Sequence, residues 1–370
     1  MERELFEMNY PNRHWGCRVN DRITVFGMKS MILQNELLQV ILHIEKGTEI
    51  TQFLYKPLDV DFLWRARNEL HNPATFSTVG GNDSAQFFDH WSGGWFEVIP
   101  NNGPGTVYKN CSLGFYAETI NAPWEYKILE DTPGRVRVGF WFKTYRTPYL
   151  IQKVMTIESG KPAIFIEEKV TNIGGEDLEF AWGQHPVVGP PFLDSSCRIS
   201  MPDCKILVLN DEDGPGYRMK LHQEGKWPYV QGLNGKPVDM RIVLPPEAKT
   251  MDDCYITDFK EDAFIGVTNT NKKVGFGLAW DPKAYRYLWL WQAFGGGQQF
   301  PWFSSSYQMG IEPWSGYPCA GLQTAIENKS ALKLGPGESL LSWITAVAYQ
   351  SEKDVETIKR DGKVEFKNDF

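Results

Sequence analysis

The sequence predicts an all-β fold, a large sandwich of two antiparallel sheets, and three observations carry that prediction. Helical periodicity is nearly absent along the chain. Residues 135–143 alternate, with Val136, Val138, Phe140 and Phe142 set against Arg135, Arg137, Trp141 and Lys143, the period of two expected of a strand with one buried face. Short runs rich in branched and aromatic residues recur between glycine, proline and asparagine turns, and they are numerous enough for two packed sheets. A chain of 370 residues fits one such domain, because all-β architectures commonly exceed the usual domain length. The expected division is an N-terminal extension over 1–29, the sandwich over 30–350, and a short helix and tail over 351–370.

In chain order, residues 31–55 (MILQNELLQVILHIEKGTEITQFLY) read as two or three strands broken at QNE and EKG. In DVDFLWRARN the alternation puts Trp64 on the opposite face from Arg65 and Arg67, so either arginine could face a cleft. Residues 71–112 read as a long irregular section with a short apolar strand inside SGGWFEVIPNNG; loops of this length usually carry function. The alternating strand at 135–143 and the runs YLIQKVMTI and AIFIEEKVTN predict a hairpin-linked meander, with EFAWGQHP as its fourth strand and His185 at that strand's end. Residues 195–246 carry successive turns and read as a loop-rich insertion. Strands return in YITDF, AFIGVTN, VGFGLAW, YRYLWLW and LLSWITAVAY, and KDVETIKRDGKVEF is expected to form a helix ending near Gly362.

Composition narrows the function classes. The net charge is −8 and no basic run of the kind that tracks a phosphate backbone is present, which argues against a nucleic-acid partner. No apolar run approaches the roughly 18 residues of a membrane span, and MERELFEMNYPNRHWG lacks the apolar core of a secretory signal, so the expected location is the cytoplasm. Six cysteines without a C-x-x-C pair and six histidines without H-x-x-x-H or H-x-H spacing suggest reduced thiols and no histidine-built metal site. Aromatic residues make up 14% of the chain, including 14 tryptophans, which suit cores, interfaces and apolar sugar faces alike.

Two ionisable residues stand out by their frames. His185 precedes Pro186 in FAWGQHPVVGPPF, where the proline excludes helix for the residue before it and the flanking glycines allow close backbone approach. Glu312 precedes Pro313 and Trp314 in GIEPW, where partial desolvation would raise its pKa and make it a better base at neutral pH. The matched frames suggest a general acid and a general base facing one cleft; the competing readings are a structural histidine and a surface glutamate.

The ordered set GGWFEVIPNNG, FYAETINAPWEY, FAWGQHPVVGPPF, WLWQAFGGG and MGIEPWSGYP resembles the aldose 1-epimerase (galactose mutarotase-like) family over roughly residues 30–348. The resemblance implies a β-supersandwich with a sugar cleft across one face, and cofactor-independent interconversion of sugar anomers. By position it implies Glu312 as the base at the anomeric hydroxyl and His185 as the acid at the ring oxygen. Arg65 or Arg67, with Arg67 favoured, would match the family's sugar-contacting arginine. Asp252, Asp253 and Asp258 compete for its aspartate, with Asp258 carried as the candidate. Trp182, Trp302 and Trp314 are candidates to stack on the sugar. Tyr116-Ala117-Glu118 stands where the family commonly has a second histidine in an H-G-E frame. That departure suggests a non-standard sugar, acidic, modified or oligomeric, with Tyr116 bonding a sugar oxygen. It also supports the alternative of a non-catalytic carbohydrate-binding module or sugar sensor. Oligomeric state is left open.

Overall fold

In the computed structural model, residues 15–82, 84–209, 214–260 and 263–368 are described. Alternating apolar and polar side chains produce antiparallel strands from the start: β1 (Arg18–Val25), β2 (Met28–Gln34), β3 (Leu38–His43), β4 (Glu49–Tyr55) and β5 (Val60–Asp61). The long segment that follows holds a one-turn helix at Ala85–Phe88, then β6 (Trp95–Val98) and the hairpin of β7 (Thr106–Tyr108) and β8 (Cys111–Leu113). The three hairpin-linked strands of the predicted meander are β10 (Arg135–Lys143), β11 (Tyr149–Glu158) and β12 (Ala163–Asn172), and the strand that joins them is β9 (Glu125–Asp131), paired with β10. Shorter strands follow: β13 (Leu178–Phe180), β14 (Gly183–Val188), β15 (Cys197–Ser200), β16 (Lys205–Val208), β17 (Gln223–Lys226), β18 (Tyr229–Gln231) and β19 (Pro237–Asp239). The last third contains β20 (Thr250–Thr257), β21 (Ala263–Asn269), β22 (Val274–Trp280), β23 (Tyr287–Phe294) and β24 (Tyr307–Trp314). After a short helix at Leu322–Glu327 come β25 (Leu332–Leu334), β26 (Ser339–Gln350), β27 (Val355–Ile358) and β28 (Val364–Phe366).

These strands form two large antiparallel sheets. The larger runs β1-β2-β3-β4-β6-β14-β24-β23-β20-β16-β17 with β5 added to β4; the smaller runs β15-β21-β22-β26-β12-β11-β10-β9. Their inner faces meet in an apolar core. Phe53 on β4 meets Phe276 on β22 edge-on at 5.1 Å between centroids, and Phe62 packs on both Phe276 and Phe192. All four rings are fully buried, and each such burial stabilises by about 1.5–3 kcal/mol.

Four sequence expectations change. The C-terminal segment is not a helix: β27 and β28 pair as a hairpin, because Val355 and Ile358 bury against Phe264, Val347 and Tyr349 on the outer face of the smaller sheet. The N-terminal segment is not wholly an extension, since β1 pairs with β2 along the edge of the larger sheet; residues 1–14 lie outside the described residues. The stretch 195–246 is not an insertion alone, because β15 ends the smaller sheet and β16 and β17 end the larger. Finally, His185 does not end the meander. The chain leaves the smaller sheet after β12, pairs β13 with β25, and enters the larger sheet as β14, with His185 in mid-strand.

Candidate active site

Strand β14 lies between β6 and β24, and its ladder to β24 is open where the two prolines fall. Gly183 pairs with Trp314 and Val187 with Gly310, while the residues between pair only with β6. Proline has no N–H to give a ladder, so Pro186 and Pro313 are tolerated there. Into this gap His185 and Glu312 turn toward one another, Nε2 to Oε1 at 3.4 Å, both buried. Register builds the surroundings: Phe96 opposes His185 across β6, Trp289 opposes Glu312 across β23, and Asp253 on β20 opposes Trp291. Phe96 stacks on the imidazole at 4.5 Å, and Trp289 stacks on Trp314 at 4.1 Å.

The pair forms the floor of a cavity of about 210 Å³. Its walls are aromatic, among them Phe87, Trp91, Phe115, Tyr116, Trp291, Phe300 and Trp302, with Trp91 in ring contact with both Trp291 and Trp302. Asp253, Met251, Pro301 and Cys319 also line it, and among the described residues none of its lining is lysine or arginine. The Tyr116 hydroxyl lies 3.5 Å from Cys319 Sγ, and its ring stands edge-on to His185. No disulfide links any of the six cysteines.

Burial sets the electrostatics. It pushes the Glu312 carboxyl well above its usual range, opposed by the Trp314 indole N–H donating to Oε2 at 3.1 Å and reinforced by the charge of Asp253. It pulls His185 down to about 3. Burial therefore favours the neutral form of each group, and at 3.4 Å the two titrate as a coupled pair. His185 Nδ1 and Trp91 Nε1 are buried without a protein hydrogen-bond partner.

Behind the pair, on the face of β14 turned to the other sheet, Gln184 anchors a polar network. Its amide accepts from Trp95 Nε1 at 2.7 Å and donates to Glu168 Oε1 at 2.7 Å. Glu168 also accepts from the Tyr285 hydroxyl, while Glu97 accepts from Lys153 and from Trp182. Burial and then the charge of Glu97 raise Glu168 to about 8.

The structure brings together His185, Glu312, Tyr116, Trp302 and, in contact with Glu312, Trp314. Three sequence candidates fall elsewhere. Arg67 is exposed, with its guanidinium over the Phe303 ring at 5.7 Å, and Arg65 is tied to Asp61 at the surface. Asp258 is exposed and 3.6 Å from Lys205; of its competitors, Asp253 lines the cavity and Asp252 is buried against Arg218. Trp182 is core, its indole committed to Glu97. Sequence reading missed Trp91, Trp289 and Trp291; the alternation Tyr287-Trp289-Trp291 signals one face, whereas nothing in DHWSGG marks Trp91.

No protein-family model and no curated protein matches the sequence. In structure the chain is similar to a candidate aldose 1-epimerase from Klebsiella pneumoniae, with a TM-score of 0.71 and 15% identity over 91% of this chain and 84% of that one. A galactose mutarotase-like protein from Clostridium acetobutylicum gives a TM-score of 0.63 at 14% identity, covering 90% of this chain and 99% of the other. A candidate aldose 1-epimerase from Escherichia coli gives 0.58 at 12% identity, covering 86% and 98%. With twelve- and eight-stranded antiparallel sheets packed face to face and a cavity on the larger one, the chain has the galactose mutarotase-like fold.

Proposed function

We propose that the protein is an aldose 1-epimerase-like isomerase that interconverts the α and β anomers of a free sugar, with Glu312 and His185 as its proton-transfer pair. The observation that carries this reading is the buried contact of 3.4 Å between the two side chains on the cavity floor. In the forward step the Glu312 carboxylate takes the proton of the anomeric hydroxyl and the His185 imidazolium gives one to the ring oxygen. The bond from the anomeric carbon to the ring oxygen breaks and the aldehyde carbonyl forms. Rotation about the adjacent carbon–carbon bond and reclosure return both protons, so the pair ends as it began.

The proton count of the buried pair suits this cycle. Carboxylate with imidazolium, and carboxylic acid with imidazole, hold the same single proton, so moving it across the contact prepares either half-step without exchange with solvent. The resting pair, held neutral by burial, corresponds to the open-chain half. Tyr116 is suited to donate to a sugar oxygen, since burial, and then Cys319, keep its hydroxyl protonated. Trp302 offers an aromatic face for the ring.

The test is anomer exchange measured by saturation-transfer NMR over a panel of free sugars. Wild type is expected to accelerate exchange for at least one sugar, and Glu312→Gln to lose about a hundredfold or more of that acceleration. A sugar that binds with no acceleration would favour a carbohydrate-binding module instead, and acceleration that survives Glu312→Gln would rule out this assignment of the base.

A further inference from the structure

A second cavity, of about 340 Å³, adjoins the one that holds His185 and Glu312, and the two share Met251, Asp253, Trp291, Phe300 and Trp302 in their walls. Register explains why they run together. Met251 and Asp253 stand two apart on β20 and so share one face of the larger sheet, and Asp253 pairs with Trp291 on β23. Over that face lies the segment linking β23 to β24, whose Trp302 meets Trp291 at 4.8 Å between ring centroids. The same segment brings Gln298 and Gln299 to the outer cavity and Phe300 to both.

The outer cavity has the chemistry of a sugar site in its own right. A glutamine amide both donates and accepts, and neither Gln298 nor Gln299 makes a side-chain hydrogen bond among the described residues. Phe300, where the two cavities meet, is 59% exposed and offers an aromatic face to solvent. Amides beside such a face match a sugar ring, whose hydroxyls give and take hydrogen bonds around apolar C–H faces. Size points the same way. The inner cavity, at about 210 Å³, is below the roughly 300–1,000 Å³ of a site for a drug-sized ligand, and the outer one brings the pair into that range. Proton transfer at an anomeric carbon needs His185 and Glu312, which line only the inner cavity. The reacting ring is therefore the inner one, and the outer cavity takes what is attached to it.

We propose, resting on the isomerase reading for the inner ring, that the protein acts on the reducing end of an oligosaccharide whose second sugar is held in the outer cavity by Gln298, Gln299 and the face of Phe300. Matched series compare one ring with two: glucose with maltose, cellobiose and isomaltose; galactose with galactobiose; mannose with mannobiose; and xylose with xylobiose. Several linkages are included because the pose of the inner ring decides which of its hydroxyls faces the outer cavity. Binding is read by quenching of tryptophan fluorescence at pH 7, independently of exchange. In at least one series a disaccharide is expected to bind about tenfold or more tighter than its monosaccharide, the yield of two hydrogen bonds at roughly three- to fivefold each. Gln298→Ala combined with Gln299→Ala, which trims two exposed side chains, should cut that ratio at least threefold.

Disaccharides that bind no tighter than their monosaccharides in every series, or a ratio unmoved in the double variant, overturn the proposal. Exchange on the same samples separates this inference from the isomerase reading. A disaccharide advantage that the double variant reduces, without acceleration of exchange, keeps the oligosaccharide and removes the isomerase. Acceleration for a monosaccharide with no disaccharide advantage does the opposite. No binding by any of these sugars overturns both.

Discussion

A carboxyl and an imidazole buried 3.4 Å apart cannot titrate as independent groups, and that coupling is the central property of the cleft at the scale of residues. Burial moves the ordinary values of 4.5 for Glu312 and 6.5 for His185 in opposite directions, up and down, and so favours the neutral form of each. The imidazole protonates only near 3, and the carboxyl releases its proton only above the usual carboxylate range. The exchange rate is therefore expected to stay level between about pH 5 and 7, without the break near 6.5 that an exposed histidine would give. A pH profile of exchange measured by NMR checks this, and a fall of half or more centred on 6.5 would contradict it. Sequence reading reached this pair because proline follows each member and glycines and aromatics surround both. It could not reach Asp253 in place of Asp258, because alternation tells which residues share a face and leaves open which face meets the cleft.

At the scale of elements, two glycines on neighbouring strands make opposite demands. A methyl group on Gly310 would overlap the tip of Glu312, a flexible side chain that can move aside. Gly310→Ala is thus expected to displace the carboxylate and cut exchange by tenfold or more while leaving thermal stability nearly unchanged. A methyl group on Gly183 would instead overlap the Trp314 ring, which is fully buried and stacked on Trp289. Gly183→Ala should cost about 1–3 kcal/mol, the usual effect of overfilling a packed core. Thermal melts of the two variants beside their exchange rates separate the cases; equal stability losses would show that the contrast between the two positions is wrong. Most strands were legible because branched and aromatic runs sit between turn residues, as in β10, β21 and β22. The C-terminal hairpin was not. Its lysines and glutamates favour helix locally, and only the apolar outer face of the smaller sheet, assembled from distant strands, makes Val355 and Ile358 extend.

For the whole molecule, buried groups set the balance of stability against pH, with His43, His185, Glu312 and Glu168 prominent among them. Below 6.5 the unfolded chain binds protons that His43 and His185, both pulled to about 3 by burial, refuse in the fold, so stability falls as pH drops. Above 4.5 the fold retains protons on Glu312 and on Glu168, raised to about 8, that the unfolded chain has released, so stability falls as pH rises. The two trends offset each other between 4.5 and 6.5, and the melting temperature is expected to peak in that window and decline toward pH 8. A melting temperature that rises from pH 6.5 to 8 would refute this. The sheet order has a consequence in time as well. β14 takes its neighbours from far along the chain: Trp95 meets Gln184 across 89 residues and Trp182 meets Ser315 across 133. Contacts of such separation close late and slowly in folding. A nascent or partly folded chain thus lacks the buried contact of His185 with Glu312, which forms only once the last third of the chain has docked.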